Sequence, residues 1–221
     1  EEVKPNLILT VPLILEKIYK KMILPQLSKT TMKVALNIPL LDSRIYAQIR
    51  KKLVDAFGGR FREVIVGGAA MNEEVTNFLY KIKFPFTIGY GMTECGPLIS
   101  YDHNDEYVPG SCGQILKGIM KVRIDSEDPY NKVGEIQVSG ENVMKGYYKN
   151  EEATSKVFTE DGWLRTGDLG TIDADNRIYI RGRSKTMILG ASGQNIYPEE
   201  IESKLNNLPF VMESIIIEKN G

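Results

Sequence analysis

The sequence predicts a mixed α/β protein with a parallel βαβ segment, a small antiparallel barrel-like sheet, and the start of a small α+β domain. Three observations indicate this class. Two short apolar runs, at residues 64–66 and 86–88, flank a helical pattern. From about Pro109, polar and apolar residues alternate in short segments separated by turn residues. From Gly182 onward, short strand patterns mix with a helix.

The amino-acid composition excludes several kinds of site and partner. The 221 residues are 42% hydrophobic and 26% charged, as in a globular protein. With 28 basic and 29 acidic residues, the charge gives no reason to expect nucleic acid or an anionic membrane as a partner. Cys95, Cys112 and His103 are the only cysteines and histidine, which excludes a disulfide framework and a multi-histidine metal centre. We therefore expect a cytoplasmic location. Peripheral contact with a membrane stays open, although no pattern in the sequence indicates an anchor.

Two amphipathic helices are predicted near the start. Pro12 opens the first, in which Ile14, Ile18 and Met22 recur every four residues. Residues 28–42 have no clear period and stay unassigned. Ser43 is the expected N-cap of the second helix. That helix carries Ile45, Ile49 and Leu53 on one face and stops at Gly58-Gly59.

The βαβ segment contains two glycine turns. Residues 64–66 form a strand that ends in Gly67-Gly68-Ala69, and Asn72 caps a helix through Ile82. Residues 86–88 form the second strand, which ends in Gly89-Tyr90-Gly91. Short connections predict parallel pairing, so both turns lie at the carboxyl edge of the sheet, where ligands bind in such folds. Turns without Cβ atoms allow close approach of a ligand.

The second half is predicted to be mostly β. Strands at 121–125, 135–139 and 177–181 suggest an antiparallel sheet or barrel. After Gly182 we expect a strand at 187–189, a loop at 190–193, a helix from Pro198 through Leu205, and a strand at 214–217.

Three motifs, taken together, resemble one family. They are Gly89-Tyr90-Gly91-Met92-Thr93-Glu94, residues 162–168 (ending in Thr166-Gly167-Asp168), and residues 182–185 continuing into residues 192–202. Their order and spacing are similar to those of the adenylate-forming superfamily, most closely the long-chain fatty acyl-CoA synthetases. The resemblance covers nearly the whole chain. It implies activation of a fatty acid with ATP and Mg²⁺ to acyl-AMP, then transfer of the acyl group to CoA.

The resemblance implies a metal and phosphate site at the second glycine turn. Glu94 matches the family's Mg²⁺-binding glutamate, and Thr93 matches the hydroxyl that contacts the α-phosphate. Hard oxygen ligands suit Mg²⁺, and one carboxylate with substrate phosphates is a normal arrangement for it. The alternative for Glu94 is a solvated loop carboxylate.

The resemblance also implies a nucleoside site. Tyr90, beside Gly91, matches the residue that stacks on adenine, and Gly67, Gly68 and Ala69 match the turn on the other side of the base. The alternative for Tyr90 is a core aromatic residue. Asp168 matches a carboxylate that binds both ribose hydroxyls, and Arg183 matches a second ribose contact. Their alternatives are an ordinary turn and a surface charge.

Two further residues have roles only by resemblance. Lys185 matches the hinge about which the family's C-terminal domain rotates, and Gly193 matches a glycine near the pantetheine arm of CoA. Lys185 is otherwise a solvated lysine. We expect a surface position for His103 and packing roles for Cys95 and Trp163, since nothing supplies Cys95 with a base.

The resemblance divides the chain into 1–108, an α/β part of a large domain, 109–182, a β subdomain, and 183–221, the hinge and a truncated C-terminal domain. The family's phosphate loop and late lysine do not occur in the sequence. We therefore expect a fragment that does not complete a turnover alone. Two alternatives stay open: an acyl-AMP ligase or acyl-carrier-protein synthetase, and a non-catalytic nucleotide-binding scaffold. Acyl chain length and oligomeric state are not encoded in any pattern found.

Overall fold

The structure is a computed structural model that describes residues 4–190, 192–208, 211 and 213–219. The chain divides into two compact units. The first comprises Glu1–Gly89 and Asp102–Gly110, and the second comprises Tyr90–Tyr101 and Ser111–Gly221. Each unit has a hydrophobic core of its own.

A parallel sheet of three strands, in the order β1-β2-β3, organises the first unit. The strands are β1 (Leu7–Thr10), β2 (Glu63–Val66) and β3 (Phe86–Ile88). The pairing of β2 with β3 is parallel, which confirms the predicted βαβ segment. Strand β1 adds a third parallel strand that we did not predict. Its four residues alternate only between exposed and half-buried, so its pattern is weak.

The first helix begins at Pro12, as predicted, but it buries a different set of residues. The first helical stretch buries Leu15, Tyr19 and Ile23, whereas Ile14 and Met22 of the predicted stripe are exposed. The predicted and the buried stripes both repeat every four residues. The buried stripe contains Tyr19, whose ring packs on Phe78 in the core. The helical elements are α1 (Pro12–Ile18), a π-helical stretch (Tyr19–Ile23), α2 (Leu24–Leu27), α3 (Thr30–Ala35), α4 (Leu41–Ala56) and α5 (Glu73–Lys81).

The N-terminus of α4 corrects a second prediction. The helix begins at Leu41, after Leu40 in a left-handed conformation, so Ser43 lies within the first turn. The Ser43 hydroxyl donates to the Leu40 carbonyl at 3.0 Å and is not the N-cap. The predicted stop is confirmed, because α4 ends at Ala56 and both Gly58 and Gly59 have positive φ.

Helix α5 is capped as predicted. The Asn72 side-chain oxygen accepts hydrogen bonds from the backbone N–H groups of Glu74, at 3.0 Å, and Val75, at 3.3 Å. The helix buries Val75, Phe78 and Leu79 in the core that also contains the inward residues of β2 and β3. This packing fixes the ends of the two strands.

The second unit is built from short hairpins and an antiparallel sheet. Strands β4 and β5 pair antiparallel around a 3₁₀ turn at Thr93–Cys95, and four longer strands form a sheet in the order β6-β7-β8-β9. The elements are β4 (Tyr90–Gly91), β5 (Leu98–Ser100), β6 (Met120–Asp125), β7 (Gly134–Gly140), α6 (Glu151–Val157), β8 (Leu164–Ile172), β9 (Ile178–Arg183), β10 (Ile188–Leu189), β11 (Asn195–Ile196) and α7 (Pro198–Leu205).

The four-stranded sheet is open, which corrects the barrel-like expectation. Strands β6 and β9 are its two edges, and no ladder joins them within the described residues. The sheet contains β8, which the sequence analysis did not predict. Gly167, Gly170 and interspersed polar residues hide the strand pattern, and the ladder with β9 shifts register between Leu169 and Gly170.

The expected strand at residues 214–217 is wrong. This segment is tied to α7 by side chains instead of joining a ladder. The Ser214 hydroxyl donates to Asn206 Oδ1 at 2.9 Å, and the Ile216 N–H donates to Glu202 Oε1 at 2.7 Å. Across the described part of the chain, no helix combines the length and apolar character needed to cross a bilayer.

Candidate functional site

The first unit contributes a glycine turn at the carboxyl edge of its sheet. Strand β2 leads directly into Gly67 and into Gly68, which has a φ of 88°. The Gly89 N–H donates to the Val66 carbonyl at 2.9 Å, so the ends of β2 and β3 lie side by side, as the βαβ pattern predicts. Gly68 and Ala69 are exposed. The proposed contact of this turn with adenine stays a prediction.

The second unit brings together three residues that the resemblance assigns to the nucleoside. The Tyr90 hydroxyl donates to Asp168 Oδ2 at 2.8 Å. Arg183 Nε lies 3.1 Å from the other carboxylate oxygen, Oδ1. Asp168 and Arg183 face each other across the β8–β9 ladder, so the antiparallel register itself creates this pair.

Asp168 is the centre of this cluster. It is 6% exposed, and its backbone N–H donates to the Thr166 hydroxyl at 3.1 Å. That hydroxyl in turn donates to the Ile136 carbonyl at 2.8 Å, which fixes the strand around Asp168. A carboxylate has about four acceptor positions, and one donor on each oxygen leaves capacity for further hydroxyl groups.

Tyr90 is a buried neutral donor. Burial, followed by the nearby charge of Asp168, raises the pKa of Tyr90 well above its ordinary value. The residue is 7% exposed and belongs to the core that includes Cys95 and Ile99. This burial agrees with the alternative of a core aromatic residue, and stacking of the ring on adenine stays a prediction.

Glu94 lies in the 3₁₀ turn that follows β4. Thr93 is exposed and Glu94 is half-buried. The turn can fold back tightly because Gly91 has no side chain: a Cβ there would overlap the Pro97 carbonyl. Glu94 Oε1 accepts a hydrogen bond from the Tyr147 hydroxyl at 2.9 Å. This bond raises the pKa of Tyr147.

Tyr147 was missed by the sequence analysis. It lies 53 residues from Glu94, and no periodic pattern or motif connects the two positions. The only local signal is a glycine followed by two tyrosines, Gly146-Tyr147-Tyr148, in a polar stretch. A contact of this kind depends on tertiary structure.

The donor set around Glu94 fits a magnesium ion. Within the described residues, no group of three or more histidine, cysteine, aspartate or glutamate side chains could hold a metal by itself. Magnesium does not need such a group, because it keeps several waters and is usually bound by one or two carboxylates and substrate phosphates. Glu94 has one oxygen bonded to Tyr147 and a second that this bond leaves available, and the Thr93 hydroxyl adjoins it in sequence.

Lys185 and Gly193 occupy exposed turns of the second unit. Lys185 follows β9 in a turn where the N–H groups of Thr186 and Met187 donate to the Arg183 carbonyl. Gly193 has a φ of 79° in the β10–β11 loop, and a Cβ there would meet open space. The hinge and pantetheine roles of these two residues stay predictions.

Residues given packing or surface roles lie as expected. Burial raises the pKa of Cys95 to about 11, so this fully buried thiol stays protonated. The His103 side chain is 70% exposed and lies 3.6 Å from Glu63. The Arg123 guanidinium lies 4.6 Å from the centre of the Trp163 ring, which holds the loop before β8.

A polar cavity of about 780 Å³ lies over strands β6 to β8 and is not lined by the predicted site residues. Its two arginines form ion pairs with neighbouring carboxylates. Arg123 binds Asp161 through two hydrogen bonds, and Arg165 binds Glu135 at 2.9 Å. Surface ion pairs therefore line this cavity.

Comparison with known proteins identifies the family. Residues 1–148 match the family model described as "AMP-binding enzyme". The chain belongs to this family of adenylate-forming enzymes, and its curated relatives are named as CoA ligases. The resemblance inferred from the three motifs is therefore confirmed at the level of adenylate-forming CoA ligases.

The curated relatives are named for different acids. 4-coumarate-CoA ligase 1 of Narcissus pseudonarcissus is 33% identical over 81% of this chain and 35% of its own length. Long-chain-fatty-acid–CoA ligase 1 of Saccharomyces cerevisiae is 29% identical over 96% of this chain and 33% of its own length. The chain spans about a third of the length of these relatives.

Solved structures share the fold along nearly the whole chain. ATP-bound MatB from Rhodopseudomonas palustris has a TM-score of 0.70 and 29% identity, covering 97% of this chain and 38% of that one. O-succinylbenzoate coenzyme A synthetase (MenE) from Bacillus subtilis, in complex with AMP, has a TM-score of 0.72 and 26% identity. That match covers 98% of this chain and 39% of MenE.

Proposed function

We propose that the full-length protein containing this chain is an ATP-dependent fatty acid–CoA ligase. In this proposal the carboxylate of a fatty acid attacks the α-phosphate of ATP to give acyl-AMP and pyrophosphate. The thiol of CoA then attacks the acyl carbonyl, which gives acyl-CoA and releases AMP. Tyr90, Asp168 and Arg183 bind the nucleoside, while Thr93 and Glu94 serve the phosphates.

The observation that carries the proposal is the Asp168 cluster. A buried carboxylate is costly unless hydrogen bonds and charges compensate it. Here Tyr90 and Arg183 supply one donor to each oxygen and leave acceptor positions over. A ribose presents two adjacent hydroxyl groups, which match those positions. A non-catalytic scaffold would have no use for this arrangement together with Glu94.

Magnesium has a defined place in the proposal. When bound, the ion would neutralise negative charge on the phosphates and so favour attack at the α-phosphorus. Glu94 would hold it through a carboxylate oxygen, and Thr93 would donate its hydroxyl to an α-phosphate oxygen. Both groups lie in one 3₁₀ turn, so the β4–β5 hairpin fixes their spacing.

Later steps involve Lys185 and Gly193. Lys185 is proposed to absorb the backbone change by which the C-terminal part moves between acyl-AMP formation and thioester formation. Gly193 is proposed to lie near the pantetheine arm of CoA after that movement. Both lie in exposed turns, where a backbone change disturbs no core packing.

A fatty acid is the proposed acyl substrate. The yeast long-chain ligase aligns with 96% of this chain, and FadD15 of Mycobacterium bovis, also named a long-chain-fatty-acid–CoA ligase, is 32% identical over 76%. The similarity to 4-coumarate ligases makes an aromatic acid the main alternative for the acyl substrate. Cys95 and Cys112 are both free thiols, which fits the proposed cytoplasmic location.

The test is acid-dependent exchange of pyrophosphate into ATP by the full-length protein, followed by a thioester assay. We expect exchange with palmitate, weaker exchange with 4-coumarate, and thioester formation with CoA but not with an acyl carrier protein. A preference for 4-coumarate would contradict the fatty-acid assignment alone. Transfer only to a carrier protein would favour the acyl-carrier-protein synthetase alternative, and no exchange with any acid would overturn the proposed function.

A further inference from the structure

The segment between β7 and α6 encloses the turn that carries Glu94. Asn142 Nδ2 donates to the carbonyls of Cys95, at 2.5 Å, and Leu98, at 3.0 Å. The Met144 N–H donates to the Glu94 carbonyl at 2.7 Å. These bonds hold the backbone of the turn on both sides of Glu94, but they do not orient its carboxylate.

Tyr147 is the residue that reaches the carboxylate. Its hydroxyl donates to Glu94 Oε1 at 2.9 Å, and its backbone N–H donates to the Thr154 hydroxyl at 2.9 Å. Thr154 lies in α6 and also donates to the Asn150 carbonyl. Gly146 allows this approach, because a Cβ there would lie 2.8 Å from the Thr154 methyl carbon. Tyr147 is thus anchored by a helix before it contacts Glu94.

We infer that Tyr147 is a positioning residue that holds the Glu94 carboxylate for a divalent cation bound with the nucleotide. Its phenol occupies one carboxylate oxygen, so the other oxygen would be available to hold the ion. This inference rests on the proposed function and deepens it. In this role Tyr147 would act through Glu94 and would not itself hold the ion.

The Tyr147 hydroxyl is an outer partner of the Glu94 carboxylate, and partners of this kind have a known effect on metal affinity. A hydrogen bond from a neutral donor to an ionised acceptor is stronger than one between neutral groups. It also removes rotamer freedom from the glutamate before the metal binds, so less entropy is lost on binding. Removal of such outer partners weakens metal binding by about 10–100-fold.

The experiment measures Mn²⁺ binding in place of Mg²⁺, by the electron paramagnetic resonance signal of free Mn²⁺. The full-length protein is saturated with a non-reactive ATP analogue that has a methylene bridge between its α- and β-phosphates. We expect Tyr147→Phe to raise the Mn²⁺ dissociation constant by about 10-fold. The matched control is Tyr148→Phe, since Tyr148 is 88% exposed and next in sequence. That variant should bind Mn²⁺ like the unmodified protein.

A double variant separates positioning from a general structural role. If Tyr147 acts through the Glu94 carboxylate, Tyr147→Phe should add no further loss to Glu94→Gln. Equal Mn²⁺ affinity in Tyr147→Phe and the unmodified protein would overturn the inference while leaving the proposed function intact. Failure of the unmodified protein to bind Mn²⁺ with the analogue would overturn both.

Thermal unfolding checks that each variant is folded. Should Tyr147→Phe lose its cooperative transition, Thr154→Val replaces it, because valine keeps the shape of threonine and releases the Tyr147 N–H. We expect this variant to weaken Mn²⁺ binding in the same direction. Unchanged binding in folded Thr154→Val would then count against the inference.

Discussion

Asp168 has two partners that differ in their surroundings. The Tyr90 hydroxyl is buried with it, whereas the Arg183 side chain is 72% exposed. An ion pair with one exposed partner is screened by water and contributes little to stability. A buried hydroxyl–carboxylate bond contributes more, and leaving either group unpaired is costly. The bond from Tyr90 therefore contributes more to stability than the ion pair with Arg183 does.

Substitutions at Tyr90 distinguish stacking from core packing. Tyr90→Phe keeps the ring and removes the bond to Asp168, so we expect the free energy of unfolding to fall by about 1–2 kcal/mol. Its AMP affinity should change only a few-fold. Tyr90→Leu also removes the ring and should weaken AMP binding by about 10-fold or more, since stacking contributes roughly 1–3 kcal/mol per base. Calorimetry with AMP measures the AMP affinity of both variants.

Phe86→Leu is the control for these variants. Phe86 is 1% exposed in the core of the first unit, so its truncation is destabilising without a role in stacking. We expect Phe86→Leu to leave AMP affinity unchanged. If Tyr90→Leu also leaves it unchanged, Tyr90 is a core residue only and the adenine assignment fails.

At the scale of elements, the two glycine turns have different physical requirements. Gly91 is dictated by packing, because any Cβ would overlap the backbone of Pro97 in the β4–β5 hairpin. Gly67 is not, since a Cβ there would make only an ordinary contact, 3.5 Å from the Gly89 carbonyl. Packing therefore accounts for Gly91 but not for Gly67.

This difference makes Gly67→Ala an informative variant. We expect its melting temperature to stay close to that of the unmodified protein, and its AMP affinity to fall because the added methyl group crowds the base. Gly91→Ala should instead lower the melting temperature strongly, because the hairpin must distort to admit a Cβ. Gly67→Ala with unchanged AMP affinity would argue against the adenine contact of this turn.

Elements differ in how far the sequence predicted them. Helix α5 and its Asn72 cap were predicted because capping and apolar spacing are local. Strand β8 was not, because its nine residues include two glycines and alternate poorly. The strand is stabilised by neighbours on both sides, β7 and β9, which no local pattern reports. The ordinary turn named as the alternative for Asp168 is therefore wrong, because Asp168 lies within strand β8.

At the scale of the whole molecule, the proposed hinge predicts a separation of the two half-reactions. Lys185→Pro in the full-length protein should retain pyrophosphate exchange within a few-fold and slow thioester formation by about 10-fold or more, because a fixed φ restricts the backbone change. Rapid-quench measurement of acyl-AMP and acyl-CoA tests this.

Lys185→Ala is the matched control, since it removes the charge and keeps the backbone free. It should support both half-reactions. Equal loss of exchange and thioester formation in Lys185→Pro would indicate a structural effect, and equal retention of both would contradict the hinge assignment. Lys185 is exposed, so neither substitution removes a side chain from a core.

The sequence by itself determined the family and the parallel βαβ segment, and it predicted the candidate site residues other than Tyr147. These follow from local capping, short-range periodicity and three ordered motifs, all of which are written in consecutive residues. Only the tertiary structure decided which stripe of the first helix is buried, that the second sheet is open, and that Tyr147 contacts Glu94. Such features depend on contacts between residues far apart in the chain, and the free energy of those contacts is not visible in any local pattern.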